Sequence, residues 1–320
     1  MIEFPGFKEE EWFVSKMKGF CVHGNTAPEN FDIAYDSSSK RKTMVKLIND
    51  AIPGYFPMTV TDILGELIKC SYDQLMEIKE RIDKTNYIFS TDSRWDIFID
   101  AYESFVSKGY NVELVKKYGI KCCPYCNENF ILSRYGESGC QLDHFFPKEK
   151  YPIFAICLYN LIPVCPICNH AKKDKLSLIS PHDHSEFTKK NRNNLHISYE
   201  ITQFSWPYFE DSITTTLMCD DSTDSDFMKK VENDFTILKL YEAYQYHKDY
   251  ILEIIEKAIL YNDYSIELIQ NSFQSLFFDE EEILRCIFGN YYQQEDLLKR
   301  PLSKMTRDLL IELELVKKEK

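Results

Sequence analysis

Apolar residues recur at helical spacing in the first and last thirds of the chain, and the stretch between follows a different pattern. Met44, Leu47 and Ile48 form one group, Leu75, Ile78 and Ile82 a second, and Trp95, Ile97, Ile99 and Tyr102 a third. Spacings of three and four residues place such side chains on one helical face. Turn-forming runs at 36–39 and 90–93 separate these predicted helices. Toward the other end, Leu238, Tyr241, Ile251, Ile254, Ile255 and Ile259 make one stripe, followed by Ile266, Ile269, Phe273 and Leu276, then Met305, Leu309 and Leu313. Ser303, two residues after Pro301, is the predicted N-cap of the last helix.

From Cys122 to Asp174, cysteine pairs, prolines and short β-prone runs at 129–132 and 141–146 replace helical periodicity. A mixed stretch at 187–216 contains a strand-like piece, His196 to Ile201, and the acidic run 220–226 reads as a solvated linker. The expectation is an α+β fold, predominantly α-helical: a helical region over 1–119, a small metal-rich core over 120–182 and a mainly helical region over 183–320.

Composition narrows the function classes. At 320 residues the chain is long enough for two or three compact units, and 44% hydrophobic residues place it in the globular range. With no basic-apolar leader and no long apolar run, the expectation is a cytoplasmic protein without membrane contact. In a reducing compartment, eleven cysteines arranged partly as CxxC pairs point to metal rather than disulfides. A net charge of -13 excludes a protein that coats nucleic acid with its whole surface, because that mode depends on neutralising phosphates. Between Lys121 and Lys175 the balance reverses, seven basic residues against five acidic ones, so any nucleic-acid contact is expected there.

Cys123-Pro-Tyr-Cys126 and Cys165-Pro-Ile-Cys168 are each spaced so that both thiolates can turn onto one tetrahedral ion, and four thiolates close a structural zinc site. Cys122 stands beside Cys123, and Cys140 and Cys157 lie between the pairs; all three are taken as non-ligands. A redox role for either CxxC would call for a βαβ setting, which the pattern lacks. Cys21 and His23 have no companions at ligand spacing and read as packing or surface residues. His182 and His184 read as surface-loop residues.

Between and after the pairs stand Leu142-Asp143-His144-Phe145-Phe146-Pro147-Lys148, then Tyr159-Asn160-Leu161-Ile162-Pro163, then Asn169-His170-Ala171-Lys172. This order, over about sixty residues, resembles the HNH endonuclease superfamily, whose ββα-metal finger carries a DH pair on its first strand, a central Asn and a His or Asn opening the helix. The resemblance implies a ββα-metal core, metal-dependent hydrolysis of phosphodiester bonds, and a positioning role for Asn160 toward His144.

The chemistry suits those residue types. Hydrolysis of a phosphodiester needs a base for water and a divalent cation for the developing charge. His144, whose ordinary pKa lies near 6.5, is the base. Asp143 offers a hard carboxylate oxygen to Mg²⁺ or Mn²⁺ and Asn169 a second oxygen, with His170 beside it as a competing ligand. Strand alternation points Asp143 and His144 to opposite faces, so a joint site calls for a bent strand or an ion at its edge. Lys172 and Lys173 are the expected phosphate contacts, with Lys175 near them; a solvated basic face is the bland alternative.

The longer match, extending through Asn-Leu-Ile-Pro-Val-Cys-Pro-Ile-Cys-Asn, looks like HNH proteins of bacterial anti-phage loci, including the nuclease subunit of Septu and retron-associated systems. That resemblance implies DNA as substrate and an ATPase as partner. The competing expectations are a non-catalytic, zinc-stabilised module binding nucleic acid or protein, and an RNA-cutting toxin.

Overall fold

The sequence at 161–164 is apolar throughout, which suits a strand covered on both faces, while that at 141–146 mixes Gln141, Asp143 and His144 with Leu142, Phe145 and Phe146. In the computed structural model, which describes residues 1–22, 38–85, 89, 92–134, 138–176, 179–203, 210–277 and 279–317, they form β1 (Gln141–His144) and β2 (Leu161–Val164). The two pair antiparallel, with Asp143 opposite Ile162 and His144 opposite Leu161. Among the described residues the chain is mostly helical with two such two-stranded sheets, an α+β fold. Among the described residues no helix is long and apolar enough to cross a membrane.

The chain divides into two compact units, one of residues 3–120 and 131–183, the other of residues 1–2, 121–130 and 184–320. In the first, α1 (Glu10–Val22) packs on α2 (Ser39–Ala51), α3 (Ile63–Ile68) and α5 (Asp96–Ser107). Helices α4 (Tyr72–Thr85) and α6 (Tyr110–Tyr118) complete the helical part. The predicted stripes Met44, Leu47, Ile48 and Leu75, Ile78, Ile82 are its core. On α5 the buried face is Phe98, Ala101 and Phe105 rather than Ile97 and Ile99, one residue out of phase with the expected stripe. The predicted turns at 36–39 and 90–93 fall partly outside the described residues, as does His23; Ser38 caps α2 by accepting from the Arg41 amide.

After β1, one-turn helices at 152–154 and 158–160 lead into β2, and α7 (Pro166–Lys172) then returns against β1. Cys165 caps α7, its Sγ accepting from the Cys168 amide at 3.4 Å, and Pro166 occupies the first turn, where its missing N–H is no loss. The β-prone run 129–132 makes only an isolated bridge, Phe130 with Cys122.

In the second unit, β3 (Leu195–Ile201) and β4 (Ile213–Cys219) form an antiparallel hairpin, in line with the strand expected at 196–201. Around it lie α8 (Glu186–Asn193), α9 (Ser225–Leu238), α10 (Leu240–Gln245), α11 (Lys248–Leu260), α12 (Asp263–Ser272), α13 (Glu280–Phe288) and α14 (Ser303–Glu312). Helix α14 packs on β3. The acidic run 220–226 ends as a cap, Asp224 accepting from the amides of Asp226 and Phe227. Ser303 is the first residue of α14 rather than its cap; its hydroxyl donates to Asn290 Oδ1 at 2.7 Å, and Leu302, at φ 61°, precedes it.

Candidate metal centre and groove

Each CxxC turns its two thiols the same way by local geometry, and the fold brings both pairs together. The ligand atoms of Cys123, Cys126, Cys165 and Cys168 lie within 4.8 Å of one another, and all four residues are buried. A tetrahedral zinc with Zn–S bonds of about 2.3 Å spaces its sulfurs by about 3.8 Å, so four thiols at this separation fit such an ion. Backbone and side-chain N–H groups also reach this sulfur set: the Glu128 amide donates to Cys126 Sγ at 3.4 Å and Asn129 Nδ2 at 3.8 Å. Such donors stabilise thiolate over thiol. Cys122, Cys140 and Cys157 are buried outside the cluster, and burial pushes the Cys122 thiol up to about 12, which keeps it protonated. Among the described residues no second group of three or more His, Cys, Asp or Glu is close enough to hold an ion.

The DH pair lies at the end of β1, against a groove of about 910 Å³. Asp143 and His144 both line it, as do Gln141 and Lys148 from the same stretch, Asn169, His170 and Lys173 from α7 and its end, and Tyr102 and Asn111 from α5 and α6. The groove therefore has a wall that the sequence reading did not assign: nothing in the spacing of 1–119 marks Tyr102 or Asn111 as anything but helix face. Tyr102 lies edge-on to the His144 ring, with centroids 4.4 Å apart.

His144 is held by its backside nitrogen. Its Nε2 sits 3.1 Å from the Ala155 carbonyl oxygen. A carbonyl only accepts, so Nε2 carries the hydrogen and Nδ1 is left as the basic nitrogen. Burial, aided by the charges of Lys148 and Lys172, lowers the pKa to about 3 against the support of the Ala155 bond. The imidazole is therefore neutral at physiological pH.

Asn160, buried completely, clamps the connection between the strands: Oδ1 accepts from the Phe146 amide at 2.7 Å, and Nδ2 donates to the carbonyls of Phe146 at 3.1 Å and Phe154 at 3.0 Å. Those bonds fix the backbone on both sides of the loop that carries Ala155, so Asn160 reaches His144 through that loop. Asp143 and Asn169 stand on separate tasks. Asn169 Nδ2 donates to Gln141 Oε1 at 2.6 Å, which leaves its own amide oxygen as the group that can accept or ligate.

Lys172 departs from its expected place. It is fully buried, donating to Asp143 Oδ1 at 3.0 Å and to the His144 carbonyl at 2.8 Å, so it is an internal cation and cannot meet a phosphate. Lys173, at φ 49° where the chain leaves α7, is exposed and lines the groove. Lys148, quoted in the motif but given no role, lies 5.3 Å over the Tyr102 ring and 3.2 Å from Glu103 Oε1. His182, expected on a surface loop, is buried among Phe4, Tyr118 and Tyr159, with Nε2 3.3 Å from the Leu161 carbonyl; His184 is exposed.

Compared with known proteins, the chain matches no family model, no curated protein and no solved structure.

Proposed function

We propose that the chain is a metal-dependent HNH-type endonuclease that hydrolyses phosphodiester bonds, with zinc on Cys123, Cys126, Cys165 and Cys168 as a structural brace. The observation that carries this reading is the placement of His144: an imidazole whose tautomer is fixed by the Ala155 carbonyl, on a groove shared with Asp143, Asn169 and Lys173. Abstraction of a proton from water needs an unprotonated ring nitrogen, and that tautomer leaves one at Nδ1.

In this reading His144 Nδ1 takes the proton of the attacking water, and Tyr102 and the Ala155 carbonyl hold the ring so that Nδ1 keeps its aim. Asn160 keeps the Phe146–Phe154 loop, and with it Ala155, at the right distance. Asp143 and Asn169 would hold a single Mg²⁺ or Mn²⁺, which when bound neutralises charge on the phosphate and the leaving oxygen. Two protein oxygens suit a hard ion that keeps most of its waters. Lys173 contributes a point charge for the phosphate backbone. DNA is the proposed substrate, and the excess of acidic residues is consistent with work beside a partner such as an ATPase in bacterial anti-phage defence.

One observation favours a second reading, a binding module without catalysis: the Asp143 carboxylate is engaged by the Lys172 ammonium, which weakens its call on a cation. Plasmid DNA and labelled RNA incubated with wild-type and His144→Ala protein, in Mg²⁺, Mn²⁺ or EDTA, separate the two. Metal-dependent cutting that falls by about 10²–10⁴-fold in the variant supports the nuclease. Binding of nucleic acid by both proteins, with cutting by neither, supports the module, and the preferred polymer decides DNA against RNA.

A further inference from the structure

Several side chains that the apolar pattern assigns to the core of the second unit lie outside it. Ile251, Ile254 and Ile255 are buried, but Ile259 at the end of the same helix is 56% exposed, and Phe273 and Leu276 beyond α12 are 54% and 64% exposed. Leu260, Tyr264 and Leu268 join them, each more than half exposed. Tyr264 and Leu268 stand one turn apart on α12, on the face away from Ile266, which is buried. Six large apolar side chains within eighteen residues are exposed, a local concentration where scattered single exposures would be ordinary.

The surroundings are acidic. From Glu253 to Glu282 the chain carries eight Asp and Glu against one basic residue, Lys257, and Lys257 is paired with Glu253 at 2.7 Å. Helix α13, which packs on both α11 and α12, opens with Glu280, Glu281 and Glu282. A second copy of this chain would bring the same negative charge against itself, and an anionic membrane surface would be repelled equally. A cationic helix with an apolar stripe matches both the greasy face and the rim.

We propose that the exposed face of α11 and α12 docks a basic amphipathic helix of a partner protein. Tyr264 and Leu268 are the central anchors, Ile259, Leu260, Phe273 and Leu276 flank them, and the acidic rim orients the partner's lysines and arginines. The proposal stands apart from the nuclease reading, since it uses no residue of the groove.

The test is fluorescence anisotropy of the full chain with a synthetic Leu/Lys amphipathic helix, with a Lys/Gln peptide of equal charge and a Leu/Glu helix as controls. The Leu/Lys helix is expected to bind, and Tyr264→Ser with Leu268→Ser, which leaves charge untouched, to weaken it by about tenfold or more, as loss of two apolar anchors does. The His144→Ala protein is expected to bind it like wild type whatever the outcome of the cleavage assay. Equal binding of the Lys/Gln peptide, unchanged binding by the double variant or no binding at all would each overturn the proposal. So would self-association, or attachment to phosphatidylglycerol vesicles, that the double variant abolishes.

Discussion

The Lys172 ammonium stands 3.0 Å from Asp143 Oδ1 and 2.8 Å from the His144 carbonyl, with both side chains out of solvent. It ties the end of α7 to the last two residues of β1. The residue pair that carries the proposed chemistry is thus braced by a cation twenty-nine positions away in sequence, and that cation answers the Asp143 charge wherever no metal does.

Removing one partner of such a pair takes the opposite charge away from a buried group. Lys172→Met is therefore expected to destabilise the fold by about 3–5 kcal/mol. Pairing it with Asp143→Asn is expected to recover part of that loss, a coupling that urea denaturation of the two single variants and the double variant measures. Strictly additive effects would show that the two side chains do not interact in solution.

Asn160→Ala removes three hydrogen bonds from buried backbone groups of Phe146 and Phe154. The Phe154 carbonyl keeps the Cys157 amide at 3.2 Å, while the Phe146 amide and carbonyl lose this partner, so at about 1–3 kcal/mol for each buried group left without one the loss is a few kcal/mol. Asn160→Asp keeps the acceptor for the Phe146 amide but turns a second oxygen toward the Phe146 and Phe154 carbonyls in a fully buried site, so it is expected to destabilise at least as much as Ala. Thermal unfolding should rank wild type well above both variants.

The four-thiol cluster is expected to hold about one zinc per chain, read by elemental analysis of purified protein. Cys126→Ser or Cys168→Ser should lower that content and the unfolding midpoint together, because metal binding energy here is folding energy. Cys157→Ser, outside the cluster, should leave the zinc content unchanged.

Acid sensitivity has a local source in the second unit. Burial pushes the Asp308 carboxyl up, but Lys304, with Nζ 2.5 Å from both oxygens, together with His196 and the Ile197 amide, holds it below its ordinary 3.8. A depressed carboxyl adds stability that is present above the unfolded value and disappears as pH falls through the folded one. Wild-type stability should therefore fall as pH drops through the unfolded value of 3.8 toward the lower folded one, and Asp308→Asn should flatten that slope in urea titrations. Glu312, pushed up from 4.5 by burial, acts in the opposite sense and in a separate window, losing stability as pH rises through its own folded value.

Much of the site was legible because it is written in short spacings. A CxxC turn is local geometry, so the two cysteine pairs could be read without a fold, and the buried cluster agrees with them. The run from Leu142 to Pro147 was likewise legible as a strand end. Lys172 was misread because a lysine four residues after a cysteine pair, in a basic run, has the same sequence signature whether it faces solvent or the interior. Its direction depends on how α7 meets β1. His182 failed for the same reason: a loop residue between a proline and an aspartate carries no signal of the aromatic side chains of Phe4, Tyr118 and Tyr159 that enclose it.

The helices show the same division. The sequence by itself determined that α2, α4 and α11 would form and which of their faces are apolar, because periodicity and propensity act over neighbouring turns. Which apolar faces become covered was decided by tertiary structure alone. The stripe of α4 is buried, while in the stripe of Ile266, Ile269, Phe273 and Leu276 the first residue is buried and Phe273 and Leu276 are left to solvent, and the two are indistinguishable as patterns. The groove was decided in the same way: β1 and α7 supply the residues whose order could be read, but Tyr102 and Asn111 reach it from helices some thirty to forty residues earlier. Burial is a property of what packs against a surface, and no residue carries that information about a partner so distant in the chain.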